Sequence, residues 1–119
     1  MNSTIQKFEF ALKGIKTAFS EEAHLRFHTI AAIIVILFGF YFDLSTIEWL
    51  IIVVCIGGVI AFELINSAIE SLVDLKSPEQ HPIAGKVKDI SAGAVLIISI
   101  ASAIAGSLIF WPHICSVLF

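Results

Sequence analysis

"IEWLIIVVCIGGVIAFELINSAIESLVD", residues 47–74, decides how the chain is read. After Glu48 it runs uncharged to Phe62, and then Glu63, Asn66, Glu70 and Asp74 break the apolar pattern. At 100° per residue these four, with Ser67, share an arc of about 100° on one helix face. They climb about 16 Å along the axis, from inside an apolar layer towards one of its surfaces. An unpaired carboxylate in lipid costs several kcal/mol, so such residues are functional candidates by default. A structural alternative is a helix-end cap or an ion pair with Lys76, Lys86 or Lys88. That suits Asp74 and fits poorly with Glu63, three turns deeper.

The surrounding chain sets the solvent. Of 119 residues, 58% are hydrophobic and 14% charged, with a mean hydropathy of +0.98. Soluble domains carry about 25% charged residues, so this chain has too little polar surface to coat a globule. An all-α membrane protein in a single domain, 1–119, is the class that fits. A net charge of −3 leaves no basic patch for nucleic acid. Cys55 and Cys115 have no metal-ligand spacing and read as packing residues. No cleavable signal peptide is expected, because the opening segment is amphipathic rather than a short apolar run.

Ile5, Phe8, Leu12, Ile15 and Phe19 recur at steps of 3, 4, 3 and 4, with Lys7, Glu9, Lys13 and Lys16 off that face. The pattern predicts an amphipathic interfacial helix over 4–22, against the alternative of a core-facing helix. Three transmembrane helices follow, expected at 27–44, 47–70 and 90–111, the last with no charge. A crossing takes about 20 apolar residues, so the first is marginal in length. Tyr41, Trp49 and Trp111 stand near span ends, where amphipathic aromatics belong. All seven Lys and Arg residues fall before the first span or between the second and third. Three crossings put both stretches on one side, and the positive-inside rule makes that side the cytoplasm. The N-terminus is then inside and the C-terminus outside. In the last span Ser99 and Ala103, Ala101 and Ala105, and Ser102 and Gly106 are small residues four apart, a spacing that lets helices approach closely within or between subunits.

More polar residues converge on the cytoplasmic level. Glu21, Glu22 and Arg26 join the surface helix to the first span, and Lys88 and Asp89 open the third. Hard carboxylate oxygens suit Mg²⁺, which keeps phosphate and water in its shell, and a lysine neutralises phosphate as a point charge. No GxxxxGK[ST], GxGxxG, HRD or DFG motif is present. From the residues alone, the reading stops at an acidic site on the cytoplasmic membrane surface.

"ELINSAIESLVDL" with "KDISAGAVL" resembles the prokaryotic diacylglycerol kinase family, which includes undecaprenol kinases. The pattern is Glu-x-x-Asn-(Ser/Thr)-Ala-Ile-Glu-x-x-Val-Asp, followed about 14 residues later by Lys-Asp. The Glu-x-x-x-Arg-x-His run from Glu22 to His28 extends the likeness towards the N-terminus, so it covers nearly the whole chain. "IEW", the Gly57–Gly58 pair and His81-Pro82 look nearer to the undecaprenol kinase branch. The resemblance implies a homotrimer of three-span subunits in the bacterial inner membrane that phosphorylates a lipid hydroxyl, of diacylglycerol or undecaprenol, with MgATP at its cytoplasmic face. It makes Glu63 the general base and gives Glu22 and Glu70 to Mg²⁺. Asn66, Lys88, Asp89 and Asp74 fall to the nucleotide, in a site shared between neighbouring subunits. Arg26, Glu21 and Ser67 are further candidates. The physics agrees: phosphoryl transfer needs mainly alignment and charge neutralisation, and burial favours a carboxylate competent as a base.

Two positions depart from the pattern. His24 stands where undecaprenol-type members commonly have Asn, and Gly85 stands where a lysine is expected, with Lys86 one place later. His28 reads as an interface residue at headgroup level and His81 as a loop residue. Two rivals remain. A small oligomeric channel or transporter subunit requires a polar path across the whole bilayer, and Trp49 to Phe62 offers only Cys55 and two glycines. A non-catalytic partner of a larger complex leaves the convergence of Glu22, Glu70 and Lys88 without a reason.

Overall fold

A computed structural model describes residues 3–119 as four helices, with no strand among the described residues. They are α1 (Ser3–Glu21), α2 (Ala23–Tyr41), α3 (Thr46–Lys76) and α4 (Pro82–Leu118). The last three are long and apolar enough to cross a membrane. α3 lies between α2 and α4 and packs on both, while α1 rests against α2 and α3. The molecule measures 56 × 43 × 21 Å, a slab about two helices thick.

The helices outrun the spans read from hydropathy. At 1.5 Å per residue the 37 residues of α4 reach about 55 Å, far beyond ~30 Å of hydrocarbon. Its start is set by local chemistry: Pro82 occupies the first turn, and His81 Nδ1 accepts the Ile83 N–H at 3.1 Å. Ser45 caps α3 in a reciprocal box, its hydroxyl taking the Glu48 N–H while Glu48 Oε1 takes the Ser45 N–H. Hydropathy carries the first span to residue 44, but α2 ends at Tyr41. Phe42, Asp43 and Leu44 form the turn instead, with Asp43 in the left-handed region at φ 53°. Leu44 is buried with Ile52 and Ile109, against Phe42, Trp49 and Phe110, in an apolar cluster at this end of the slab.

The α2–α3 seam repeats every seven residues. Leu25, Ala32 and Gly39 are the buried residues of α2. On α3 the covered positions Ile52, Ile56, Val59, Glu63, Asn66, Glu70 and Val73 alternate steps of 4 and 3. The acids therefore continue the packing stripe of α3. At Gly39 the backbone passes so close to Trp49 that a Cβ would lie 2.5 Å from the indole.

α1 buries no residue, and Phe8, Leu12 and Ile15 are exposed along its apolar face. It has no protein core to face, which removes the core-helix alternative within the chain. The small residues of α4 are likewise open. Ser102, Ala103, Gly106 and Ser107 line a groove with Val35 and Trp111, and a Cβ at Gly106 would meet nothing.

Candidate active site

Glu63 is the one buried charged side chain among the described residues, 8% exposed. Its Oε1 lies 3.2 Å from Nε2 of His28 on α2. The histidine read as an interface residue thus turns inward to the deepest acid. The seam's heptad register carries the signal, since His28 falls between Leu25 and Ala32 on the packed face of α2. One turn along α3, Asn66 Nδ2 donates to Glu70 Oε1 at 3.1 Å, and Asn66 Oδ1 is buried with no hydrogen-bond partner. A buried amide oxygen without a donor is costly unless a ligand supplies one. Ser99 Oγ on α4 is buried and unpartnered as well, and it shares with His28 a cavity of about 210 Å³ whose walls include Val35, Ile56 and Val59.

The remaining candidates are distributed around this centre. Glu22 is the single-residue break between α1 and α2, and its side chain makes no cap hydrogen bond. With Glu21, Lys13 and Ser67 it lines a cleft of about 560 Å³ between α1 and α3. Glu70 is not among the walls of that cleft, and no group of three or more His, Cys, Asp or Glu side chains converges among the described residues. Arg26 is committed to structure: Nη1 donates to the Phe19 and Ser20 carbonyls at 2.9 and 3.0 Å, satisfying the end of α1. Asp74 is exposed and pairs with Lys88, so the ion-pair alternative raised for it describes the free chain. Both line a loop cavity of about 540 Å³ with His81 and Gly85. A Cβ at Gly85 would meet nothing, so the missing lysine leaves open space there. Asp89 is exposed, and His24, the other departure, is exposed on α2.

The geometry joins a buried carboxylate, an oriented second carboxylate and an unsatisfied amide oxygen on one face of α3, with an ion pair one turn beyond. The stripe is apolar from Val59 back to Ile52, so no polar path continues along it to the other end of the slab.

Residues 9–110 match the model of the prokaryotic diacylglycerol kinase family. The chain belongs to this family. It is 42% identical over 114 residues to an undecaprenol kinase of Bacillus subtilis, covering 96% of this chain and 93% of that one. To a diacylglycerol kinase of Escherichia coli it is 30% identical over 104 residues, 87% of this chain and 85% of the relative. A Helicobacter pylori diacylglycerol kinase is 38% identical over 106 residues, 88% and 75% of the two chains. In this kinase family the acidic face of α3 is the natural place to look for the chemistry.

Proposed function

We propose that the protein transfers the γ-phosphate of MgATP to a lipid alcohol at the cytoplasmic face of a bacterial inner membrane. Undecaprenol is the favoured acceptor and diacylglycerol the alternative, an order supported by the higher identity and coverage of the undecaprenol kinase match. The observation that carries the reading is Glu63, the single buried carboxylate among the described residues, set at the inner end of an acidic helix face.

Glu63 accepts the proton of the lipid hydroxyl as its oxygen attacks the γ-phosphorus and the bond to the ADP oxygen breaks. Its depth lets it meet a hydroxyl arriving from the bilayer while the tail stays among apolar walls. Glu70 and Glu22 would hold Mg²⁺, and the unpaired Asn66 Oδ1 beside Glu70 supports that fit, as a hard oxygen with no protein donor. Mg²⁺ supplies charge neutralisation on the phosphates. Lys88, held by Asp74 in the free chain, turns to the β- and γ-phosphates when nucleotide enters, and Asp89 and Asp74 border the nucleotide.

The working unit is a homotrimer with sites shared between subunits. Three features support this: the slab is about two helices thick, the small-residue groove of α4 is open, and Glu70 is not among the walls of the cleft that Glu22 lines. The clustering of the basic residues supports an N-terminus on the inside. The test is phosphate transfer from γ-labelled ATP by purified protein in mixed micelles, with undecaprenol and diacylglycerol side by side and Glu63→Gln as control. Transfer to either lipid, abolished in the variant, supports the reading. No transfer by a folded protein with Mg²⁺ present refutes it.

A further inference from the structure

We propose that His28 is a positioning residue for this reaction, turning its Nε2–H to Glu63 Oε1 so that the carboxylate keeps its orientation and its other oxygen faces the lipid hydroxyl. The inference rests on Glu63 being the base and adds the group that makes it one. Glu63 and His28 are 3.2 Å apart, with side chains 10% and 22% exposed, so water cannot replace the histidine freely. A buried carboxylate held at one oxygen by a fixed donor keeps its orientation.

No other charged group takes that place. On α2, Arg26 is bound to the Phe19 and Ser20 carbonyls and His24 is exposed. On α3, Glu70 is engaged by Asn66. α4 has no titratable side chain between Asp89 and His113, and Lys88 pairs with Asp74. Of the charged groups of α1 and its junction, Lys13, Glu21 and Glu22 line the cleft on the Leu64–Ser67 side of α3, and Lys7, Glu9 and Lys16 are exposed. His28 itself also borders the cavity that holds Ser99. The imidazole therefore touches the base and also borders a mainly apolar space whose walls suit a chain of CH₂ or isoprene groups.

The test uses the full chain in mixed micelles with MgATP, comparing His28→Leu and His28→Gln, each alone and with Glu63→Gln. His28→Leu is expected to lower kcat by on the order of ten- to a hundred-fold, the scale for a group that orients a reactive one, with KM for ATP unchanged. His28→Gln restores an N–H and recovers most of kcat. In the Glu63→Gln background His28→Leu costs nothing further. An unaltered kcat in His28→Leu, with Glu63→Gln inactive, overturns the role of His28 and leaves the base in place. Wild-type activity in Glu63→Gln overturns both. Equal losses in the Leu and Gln variants, with lowered melting temperatures, assign His28 to packing and overturn the proposal. Nitrogen NMR of labelled histidine reads the pair without turnover: Glu63→Gln must shift the His28 ring, and an unchanged spectrum overturns the contact.

Discussion

Two glutamates on α3 each face a histidine from a neighbouring helix, about 22 Å apart along the axis, and their surroundings are opposite. Glu48 uses both oxygens: Oε1 takes the Ser45 N–H and Oε2 lies 2.9 Å from His113 Nε2 on α4. It closes a helix cap and ties it to the far end of the chain, and His113 packs on Phe42 at 5.7 Å. Glu63 is more deeply buried, and His28 meets one of its oxygens. A carboxylate with both oxygens engaged acts as a bracket. One that is buried with an oxygen in reserve is poised to act on a ligand. In the proposed reading the same residue pair serves structure at one end of α3 and chemistry at the other.

The sharpest way to break that contrast is to neutralise each acid in turn. Glu63→Gln is expected to lower lipid phosphorylation by about 10²–10⁴-fold, the usual share of a general base. Its melting temperature in detergent stays nearly level, since Gln keeps the size of the side chain and an acceptor oxygen for His28. Glu48→Gln is expected to retain kcat. A phosphate-transfer assay beside a thermal melt separates them, and the contrast fails if both acids behave alike.

Next in size is Glu70. If Asn66 and Glu70 form one oxygen-donor unit, Glu70→Ala raises the Mg²⁺ concentration for half-maximal rate by about 10–100-fold. The Mg²⁺ titration should leave lipid KM in place. An unchanged Mg²⁺ requirement would falsify the metal assignment.

Three spans, a surface helix and the acidic face are all legible in the residue spacing, because membrane burial imposes long apolar runs that leave interruptions visible. The ends of the elements are not, since caps act through single hydrogen bonds: hydropathy sees Lys86, Lys88 and Asp89 as the edge of a span, whereas Pro82 and His81 start the helix earlier. Pairings across helices stay hidden for another reason. Glu48 and His113 are 65 positions apart, and only the antiparallel register of α3 and α4 brings them together. His28 shows the middle case, legible once Leu25 and Ala32 are recognised as one heptad register.

The bracket end is tested by packing. Gly39→Ala places a methyl against the Trp49 indole, and overpacking of this kind costs about 1–3 kcal/mol. Gly58→Ala is the control, since its Cβ would sit at an ordinary 3.4 Å from Ile98. Thermal melts in one detergent should rank Gly39→Ala well below Gly58→Ala, with kcat per folded protein preserved. Removing the bracket itself with His113→Leu costs about 1 kcal/mol, the net worth of a half-exposed hydrogen bond. A loss equal to that of Gly39→Ala would make the histidine, and not the indole contact, the main fastener of this end.

The smallest effect comes from adding what the sequence lacks. Gly85 sits one turn before Lys88 on the wall of the cavity that holds Asp74, with open space at its Cβ. Gly85→Lys removes a helix-interior glycine, worth about 0.8–1 kcal/mol, while the positive end of the helix disfavours an added cation by a few tenths. The net is a slight gain in stability and a second ammonium facing the nucleotide level. If triphosphate binds against this wall, KM for ATP falls by about threefold at low salt, and the gain fades as the Debye length shortens to ~8 Å near physiological ionic strength. The rate at saturating ATP should not move, because the added charge meets ground state and transition state alike. A KM that is indifferent to both the lysine and the salt would shift the nucleotide away from Lys88, towards the cleft where Glu22 and Ser67 stand.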